Sequence, residues 1–387
     1  MYFTWWGRGV TYFPASRIWT RLQDGDITET LNQTVARVAN AAVTEFGLNI
    51  KSPPAPLIGA KGDGVTDDTA AIQKMFDNIT SNTSIFIPDG TYIVSGLKIF
   101  NKSHINIVSH GAIFKLKENS NNDVLLLEQC PYSSISGVNI DGNQNNQSAT
   151  VNGLSFKATY FSLILNCRVV NCKNDGITIV GYYDNVDSNL FRGNDEVHID
   201  NCFIQSNGRY GIYVDSVADL NIETSNIEFN GSHGIEITNA TDIPSGNITI
   251  SNNQLLSNDG HGIEVTEGSS RLIIDNNHIR NNGKSGIRYV GGKQFLITNN
   301  NIHLNGRINV YSAGILLGYN GRGLVSQNII TCTDFSPTQG YGIEAYSVNG
   351  LRITTNIIED NLSTGVSLDA DCSNAVLRDN IGLIDSP

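Results

Sequence analysis

The chain has 387 residues, a net charge of −12 at neutral pH and a charged fraction of only 16%. An acidic protein repels phosphate backbones, so nucleic-acid binding is excluded as a main function. Because no apolar run reaches about 18 residues, a membrane-spanning helix is also excluded, and the 38 glycines favour a turn-rich β protein.

The first 50 residues are predicted to form a separate aromatic and helical segment. Residues 1–20 are rich in Tyr, Phe and Trp, and residues 26–46 carry apolar side chains at helical spacing. This segment is expected to cap the following domain, to act as a short oligomerising stalk, or to attach the chain to a virion. The N-terminus lacks the basic and apolar regions of a Sec signal, so any export is expected to use another route.

A Pro-rich connector is predicted at residues 51–57, and a single domain is predicted over residues 58–387. The stretch GAKGDGVTDDTAAIQ begins at Gly59 and predicts a Gly/Asp turn followed by a helix. The apolar face of that helix would contain Ala71, Ile72, Met75 and Phe76. The strand-like stretch IFIPDGTYIV follows at residues 85–94.

The rest of the domain is dominated by a repeat. The stretches RYGIYVD, SHGIEIT, GHGIEVT and SGIRYV align on Gly211, Gly234, Gly262 and Gly286, at intervals of 23 to 28 residues. Short strands with a period of two and this spacing predict an all-β parallel β-helix, because one such repeat cannot bury its apolar face alone. Recurrent Asn indicates tight turns and stacked side-chain amides. The two Asn columns are Asn253, Asn277, Asn300, Asn328 and Asn356, and Asn207, Asn230, Asn258, Asn282, Asn305 and Asn361.

The opening motif, GAKGDGVTDDTAAIQ followed by IFIPDGTYIV, resembles that of the pectate-lyase-like superfamily, which includes bacteriophage tailspikes and polysaccharide depolymerases. The resemblance implies a right-handed parallel β-helix that acts on polysaccharides. It also implies a homotrimer located in a virion tail or otherwise outside the cell. Contact with other tail or baseplate proteins through residues 1–50 is part of the same expectation. The motif itself carries no catalytic residue, so the chemistry has to be argued from other positions.

Candidate catalytic residues come from the outward columns of the repeat. Side chains alternate along a strand, so the apolar residues after each Gly point inward and the residues between them point outward. Two glutamates on adjacent coils lie about 4.8 Å apart, which should raise the pKa of one of them. A protonated acid beside a carboxylate suits glycosidic bond cleavage. The closer pair, Glu236 and Glu264, would suit a retaining hydrolase, and the wider pair, Asp215 and Glu236, would suit an inverting one. The candidate catalytic residues are Glu236, Glu264, Asp215, His233 and His261.

Substrate-binding residues are expected around this patch. Arg288 is suited to bind a sugar carboxylate, and Tyr210 and Tyr213 offer ring faces to sugars. The longest break in the repeat, residues 182–196, is expected to form one wall of the patch and to contribute Tyr182, Tyr183 and Asp187. Glu344 is interpreted as an ordinary surface residue.

Three functions remain open at this point. The first is a phage-type protein that binds and hydrolyses a bacterial surface polysaccharide, with no metal or other cofactor. The second is a non-catalytic virion fibre or adhesin of the same fold. The third is a lyase or C5-epimerase acting on uronic acids, in which His233 or His261 would act with Arg288.

Overall fold

Three long parallel sheets form the molecule in a computed structural model. The model describes residues 47–183, 191–192, 194–239, 246–266, 270–310, 312–333 and 338–382. Residues 1–46 of the aromatic and helical segment predicted at residues 1–50 lie outside these ranges, as does Asp187 in the predicted wall.

Each coil of the chain adds one strand to each sheet, and every strand pairs in parallel with its copy one coil away. Sheet 1 consists of Leu48–Asn49, Ser84–Ile87, Asn106–Ser109, Ser134–Ser136, Ser162–Leu165, Asn194–Asp200, Val217–Glu223, Gly246–Ser251, Ser270–Asp275, Gln294–Thr298, Arg322–Ser326, Leu351–Thr354 and Val376–Arg378. Sheet 2 consists of Asp63–Asp67, Thr91–Val94, Ile113–Leu116, Asn139–Asp141, Arg168–Val170, Phe203–Gln205, Asn226–Glu228, Gln254–Leu256, His278–Arg280, Asn301–His303, Ile329–Thr331 and Ile357–Glu359. Sheet 3 consists of Leu97–Phe100, Leu125–Glu128, Leu154–Lys157, Ile177–Val180, Ile212–Asp215, Ile235–Thr238, Ile263–Thr266, Ile287–Val290, Ala313–Gly318, Tyr341–Tyr346 and Val366–Leu368. The predicted parallel β-helix is therefore confirmed.

The core is a column of aliphatic side chains between the sheets. Each sheet 3 strand turns two apolar residues inward, and the Ile residues that directly follow the repeat glycines are fully buried. The alternation predicted from the repeat accounts for this arrangement, since it places every second side chain inside.

The N-terminal end of the described chain contains one α-helix, Thr69–Asn78, and a 3-10 turn follows later at Gln144–Asn146. Ile72, Met75 and Phe76 of the helix are buried against the first coils, as the sequence predicts. The first sheet already includes Leu48–Asn49, on the N-terminal side of the predicted connector. No helix among the described residues has the length and apolar character needed to cross a membrane.

Two buried asparagine ladders follow the turns of the coils. In one of them, the side-chain amide and the backbone N–H of Asn230 both donate to Oδ1 of Asn258, at 2.8 and 3.1 Å. Asn258 repeats the pattern toward Asn282 and also donates to the Ile227 carbonyl at 3.0 Å. Both predicted columns are confirmed, and Gln339 occupies the coil between Asn305 and Asn361 that the sequence pattern left empty.

The predicted wall is described only in part. Tyr182–Tyr183 and Phe191–Arg192 pair as a two-stranded antiparallel ribbon that leaves sheet 3 after Ile177–Val180. The strand that precedes this ribbon, Ile177–Val180, pairs with Ile212–Asp215 on the next coil. The insertion therefore begins one coil away from the strand that carries Tyr213.

Candidate functional site

The candidate site lies on the outer face of sheet 3, in one register column. Tyr213 pairs with Glu236, Glu236 with Glu264, and Glu264 with Arg288, each on the next coil. The side chains of this column are therefore stacked at the strand spacing of about 4.8 Å. The structure brings together most of the residues that the sequence predicts.

Glycine makes the close approach of these coils possible. A Cβ atom on Gly234 would lie 2.6 Å from the Gly262 carbonyl oxygen, and one on Gly262 would lie 2.6 Å from that of Gly286. These are distances that real Cβ atoms do not adopt, so the repeat glycines cannot be replaced without a shift of the backbone. Each glycine also sets the position of the residue before it. His233 and His261, which precede Gly234 and Gly262, therefore lie directly above one another.

The two histidine rings stack and are held from behind by backbone N–H groups. Their centroids are 5.1 Å apart, and the ring of Tyr210 stacks on His233 at 5.3 Å. Nδ1 of His233 accepts the N–H of His261 at 2.8 Å, and Nδ1 of His261 accepts the N–H of Ser285 at 3.1 Å. Because Nδ1 is an acceptor in both rings, the hydrogen-bond network assigns the proton of each neutral imidazole to Nε2.

Both Nε2–H groups face Glu264. Their distances to Oε2 of Glu264 are 3.3 Å from His233 and 3.4 Å from His261, and Arg288 forms an ion pair with Oε1. Burial lowers the pKa of His233 to about 4 and that of His261 to about 2, so both rings are neutral at pH 7. Burial also raises the pKa of Glu264, but Arg288 opposes that rise, and we assign Glu264 as the ionised member of the pair.

Glu236 has the opposite environment. Its Oε2 is buried without a hydrogen-bond partner, and Nε2 of the neutral His233 lies 3.7 Å from it. Burial, followed by the neighbouring Glu264 carboxylate, raises the pKa of Glu236 to about 8. The sequence predicts a raised pKa from like-charge repulsion, whereas the structure shows that burial is the larger cause.

One further observation marks this column. Among the described residues, only two buried side-chain atoms lack a hydrogen-bond partner, Oε2 of Glu236 and Oγ1 of Thr178. Thr178 pairs with Tyr213, so both atoms belong to the same outward column. Buried polar groups are normally satisfied, and a concentration of unsatisfied ones is typical of a site that awaits a ligand.

Arg209 and Asp175 are site residues that sequence reasoning missed. Asp175 is 1% exposed, and its two carboxylate oxygens accept from Arg209 at 2.8 and 2.5 Å. The guanidinium of Arg209 lies over the rings of Tyr210 and Tyr213, 4.4 and 5.1 Å from their centroids. The pair therefore orients both tyrosines, and burial raises the pKa of Tyr213 to about 12, which keeps it protonated. Both residues lie just before repeat glycines on adjacent coils, and this position is the feature of the sequence from which the pair could have been predicted.

Four other residues that the sequence analysis considered lie outside the stacked glutamate pair. Asp215 is buried on the same strand as Tyr213, two residues further along the chain. It accepts a hydrogen bond from the Ser216 hydroxyl at 2.8 Å, and its Cα partner on the next coil is Thr238. Tyr182 and Tyr183 lie in the antiparallel ribbon. Glu344, interpreted from the sequence as surface, is half-buried in the column beyond Leu316, and burial raises its pKa.

His233, His261 and Glu264 offer three ligand atoms within 4.8 Å of one another, which is compact enough for a metal ion. The hydrogen bonds to Nδ1 argue against that use. A metal at Nε2 would displace the proton there, and a ring whose Nδ1 accepts an N–H would then have to become an anionic imidazolate. The arrangement fits two N–H donors to a carboxylate better than it fits a metal centre.

Comparison with known proteins agrees with this fold. A family model described as rhamnogalacturonase A/epimerase, pectate lyase-like, matches residues 57–255, and a right-handed β-helix model matches residues 190–333. The first match covers more than half of the 387 residues. The chain belongs to the pectate-lyase-like family. The right-handed parallel β-helix implied by the opening motif is thereby confirmed.

Individual members of the pectate-lyase-like family match over part of their length. The chain is 29% identical over 235 residues to the mannuronan C5-epimerase AlgE2 of Azotobacter vinelandii, covering 55% of this chain and 22% of that protein. It is 24% identical over 248 residues to the pre-neck appendage protein of Bacillus phage phi29, covering 60% of this chain and 26% of that protein. It therefore spans about a quarter of the length of these curated relatives.

Solved structures of the family share the fold. The A-module of the Azotobacter vinelandii mannuronan C-5 epimerase AlgE4 superposes with a TM-score of 0.63 at 19% identity, covering 85% of this chain and 100% of that one. The Dettilon tailspike protein superposes with a TM-score of 0.65 at 14% identity, covering 87% and 69%. At these identities the likeness concerns the fold alone.

Proposed function

We propose that the chain is a polysaccharide-modifying enzyme that hydrolyses glycosidic bonds, with Glu236 as general acid and Glu264 as its carboxylate partner. The observation that supports this most strongly is the contrast between two stacked glutamates. One has an unpartnered oxygen and a pKa of about 8, and the other is held by Arg288 and two imidazole N–H groups. Environments that separate two carboxyl pKa values in this way divide the acid and base roles between them.

The spacing favours a retaining outcome. Retaining glycosidases place their carboxyl groups about 5 Å apart, and neighbouring strands in a sheet are separated by about 4.8 Å. Glu236 would donate its proton to the leaving oxygen of the glycosidic bond while a carboxylate oxygen of Glu264 attacks the anomeric carbon. Water would then release the sugar, with Glu236 as the base. Inversion by Glu236 with the more distant Asp215 is the alternative that the stereochemistry of the product would reveal.

The histidines support Glu264 in this mechanism rather than act on the substrate as bases. Each Nε2 carries a proton directed at Glu264, and neither Nδ1 is available because each accepts a backbone N–H. Tyr210 and Tyr213, stacked at 5.8 Å, would offer ring faces to the sugar.

The proposed substrate is a bacterial surface polysaccharide. The likeness to a phage pre-neck appendage protein supports a virion-associated role, with residues 1–50 as an attachment or oligomerising segment ahead of the β-helix domain. A homotrimer with a site near a subunit boundary belongs to the same proposal.

Epimerisation or elimination at a uronate is a second candidate, favoured by the stretch similar to mannuronan C5-epimerase. The same pair serves this chemistry as well. A protonated Glu236 tolerates and can donate to a substrate carboxylate, while ionised Glu264 removes the proton at C5. Delivery of a proton from solvent to the other face of C5 gives the epimer, whereas breakage of the C4–O bond, with the departing oxygen taking a proton from solvent, gives an unsaturated product.

Product analysis in isotopically labelled water separates the candidates. Bacterial capsule and lipopolysaccharide glycans would be incubated with the protein in H2(18)O and, separately, in D2O, followed by mass spectrometry and NMR. Hydrolysis predicts 18O at each new reducing end. Elimination predicts an unsaturated uronate without 18O, and epimerisation predicts deuterium at C5 without cleavage. Binding without any of these products would reject the enzyme proposal in favour of an adhesin.

A further inference from the structure

A basic groove lies on the outer face of sheet 1, away from the glutamates on sheet 3. It has a volume of about 440 Å³, and it adjoins a second depression that shares Arg271, Gln294 and Arg322. Arg352 lines the first depression and Lys293 the second. We call the two together the arginine groove. Its apolar floor includes Ile273, Leu296 and Leu324, which pair as one outward column on successive coils.

Among the described residues, no carboxylate neutralises the charge of this groove. No described Asp or Glu lines either depression, and no hydrogen bond or ion pair joins the guanidinium groups of Arg271, Arg322 and Arg352 to another described residue. Two other arginines do pair with carboxylates, as Arg209–Asp175 and Arg307–Asp259. In a protein with a net charge of −12, four cationic side chains around one hollow form a local anion-attracting field.

Arg271 occupies a turn position with left-handed backbone that recurs on successive coils. Arg271 has a φ of +60° and Asn247 a φ of +54°, and they occupy equivalent positions on adjacent coils because Ile248 pairs with Leu272. Large side chains such as that of Phe161 adopt the same backbone elsewhere in the chain, so the conformation itself does not select an arginine. Asn enters this region readily, so asparagine is a substitution at this position that the backbone accepts.

The core beneath the groove depends on a glycine. A Cβ atom on Gly323 would lie 2.1 Å from the ring of Phe295, which is 3% exposed and packs edge-on against Tyr289 at 5.3 Å. The absence of a side chain at Gly323 leaves room for this ring in the core, directly beneath the outward column of the groove. An apolar floor with a few convergent polar groups is the usual composition of a ligand site, and 440 Å³ lies within the usual size range.

From this geometry we infer that the arginine groove binds a segment of an acidic polysaccharide that bears carboxylates. Guanidinium groups bind carboxylates through two parallel hydrogen bonds, and the aliphatic floor can contact the C–H faces of sugar rings. The identity of the ligand as a polysaccharide rests on the proposed function, and the groove would hold the polymer at a place separate from the glutamates. Its role is binding, so no bond is formed or broken there.

The test is a binding measurement in the Glu236→Gln background, so that turnover does not interfere. Calorimetry would use an oligomer of polygalacturonic acid, a neutral oligoglucan of the same length, and poly(glycerol phosphate). The groove variant is the double substitution Arg271→Asn and Arg322→Gln, because the column already contains Asn247 and Gln294 at the equivalent positions. Arg280→Gln, an exposed arginine on sheet 2, is the control for loss of charge.

The expected result is salt-sensitive binding of the polyuronate, weakened about tenfold or more in the double variant and unchanged in Arg280→Gln. The inference would be overturned if the double variant bound the polyuronate as tightly as the parent protein does. It would also be overturned if the neutral oligomer bound as tightly as the polyuronate. Preference for poly(glycerol phosphate) would overturn the carboxylate assignment. A change of oligomeric mass in the double variant, measured by light scattering, would show that the groove is instead a contact between copies of the chain.

These outcomes are independent of the proposed function. Wild-type product formation tests the glutamates without reference to the groove. Lack of product together with groove-dependent binding would reject the catalytic proposal and keep this one. Product formation with no effect of the double variant on affinity would do the reverse.

Discussion

The asparagine ladders and the glutamate column use the same geometry with opposite results. In both, polar side chains of one type lie on successive coils, largely buried, about one strand spacing apart. An amide has a donor and an acceptor, so each Asn satisfies its neighbour, as Asn230 does with Asn258. A carboxylate has only acceptors, so stacked glutamates cannot satisfy each other. Donors from His233, His261 and Arg288 satisfy Glu264 and leave Glu236 unpartnered.

This difference is the basis of the proposed division between a structural column and a catalytic column. A fully satisfied ladder fixes the register of the turns and has no unpaired donor or acceptor to offer a ligand. A column with an unpartnered acid is unfavourable for stability and is retained where activity requires it. The predictions below test this division, from the largest expected effect to the smallest.

Glu236→Gln is expected to lower kcat by roughly 10²- to 10⁴-fold, the usual contribution of a general acid, while the protein stays folded. The measurement is the initial rate on whichever glycan the wild type converts, with circular dichroism as the check of folding. Glu344→Gln, in the same column but beyond Leu316, is the matched control and should retain full activity. Normal activity of Glu236→Gln would place the chemistry elsewhere.

Asn258→Ala is expected to reduce the free energy of unfolding by about 3 kcal/mol, because it removes the shared acceptor of the Asn230 amide and N–H and the side-chain donor to Asn282 and to the Ile227 carbonyl. Urea denaturation would measure the loss, and the folded fraction should keep its kcat. Asn301→Ala, an exposed asparagine on sheet 2, should change stability by less than about 0.5 kcal/mol. Equal effects of the two substitutions would contradict the ladder's structural role.

Arg288→Gln is expected to raise the pKa of Glu264 further, because it removes the cation that stabilises the carboxylate. The acidic limb of the pH–rate profile should therefore move up by about one pH unit, with a rate loss of about tenfold at pH values on that limb. Arg307→Gln removes a comparable arginine paired with Asp259 outside the column and should leave the profile unchanged. A profile that does not move would remove Arg288 from the assigned role.

The last prediction concerns the pH dependence of stability, an effect spread over several pH units. The pKa of Glu236 is raised from 4.5 to about 8 by folding, so its contribution to stability is fully present below pH 4.5 and is lost as the pH rises through 8. His233 acts in the opposite sense, since its pKa falls from 6.5 to about 4 and its contribution is lost as the pH falls through 4. Glu236→Gln should therefore gain stability relative to wild type between pH 5 and 9, measured by denaturant midpoints at each pH. A stability difference between variant and wild type that stays constant over this pH range would show that folding does not raise the pKa of Glu236.

Much of the fold follows from the sequence alone. The repeat glycines, the period-two strands and the asparagine columns determine a parallel β-helix because each depends only on local backbone geometry and on repetition. The same registration identifies Glu236, Glu264, His233, His261 and Arg288 as neighbours on one face. The break at residue 182 likewise identifies the place of an insertion.

The state of the site depends on the tertiary structure. The sequence does not show that His233 and His261 accept backbone N–H groups at Nδ1, and that detail converts them from candidate bases or metal ligands into donors to Glu264. Nor does it show that Asp175 and Arg209, 34 residues apart, form a pair that positions the tyrosines. Registration fixes which side chains are neighbours, but burial and hydrogen-bond direction depend on how those side chains pack, and they determine which of two similar glutamates keeps its proton.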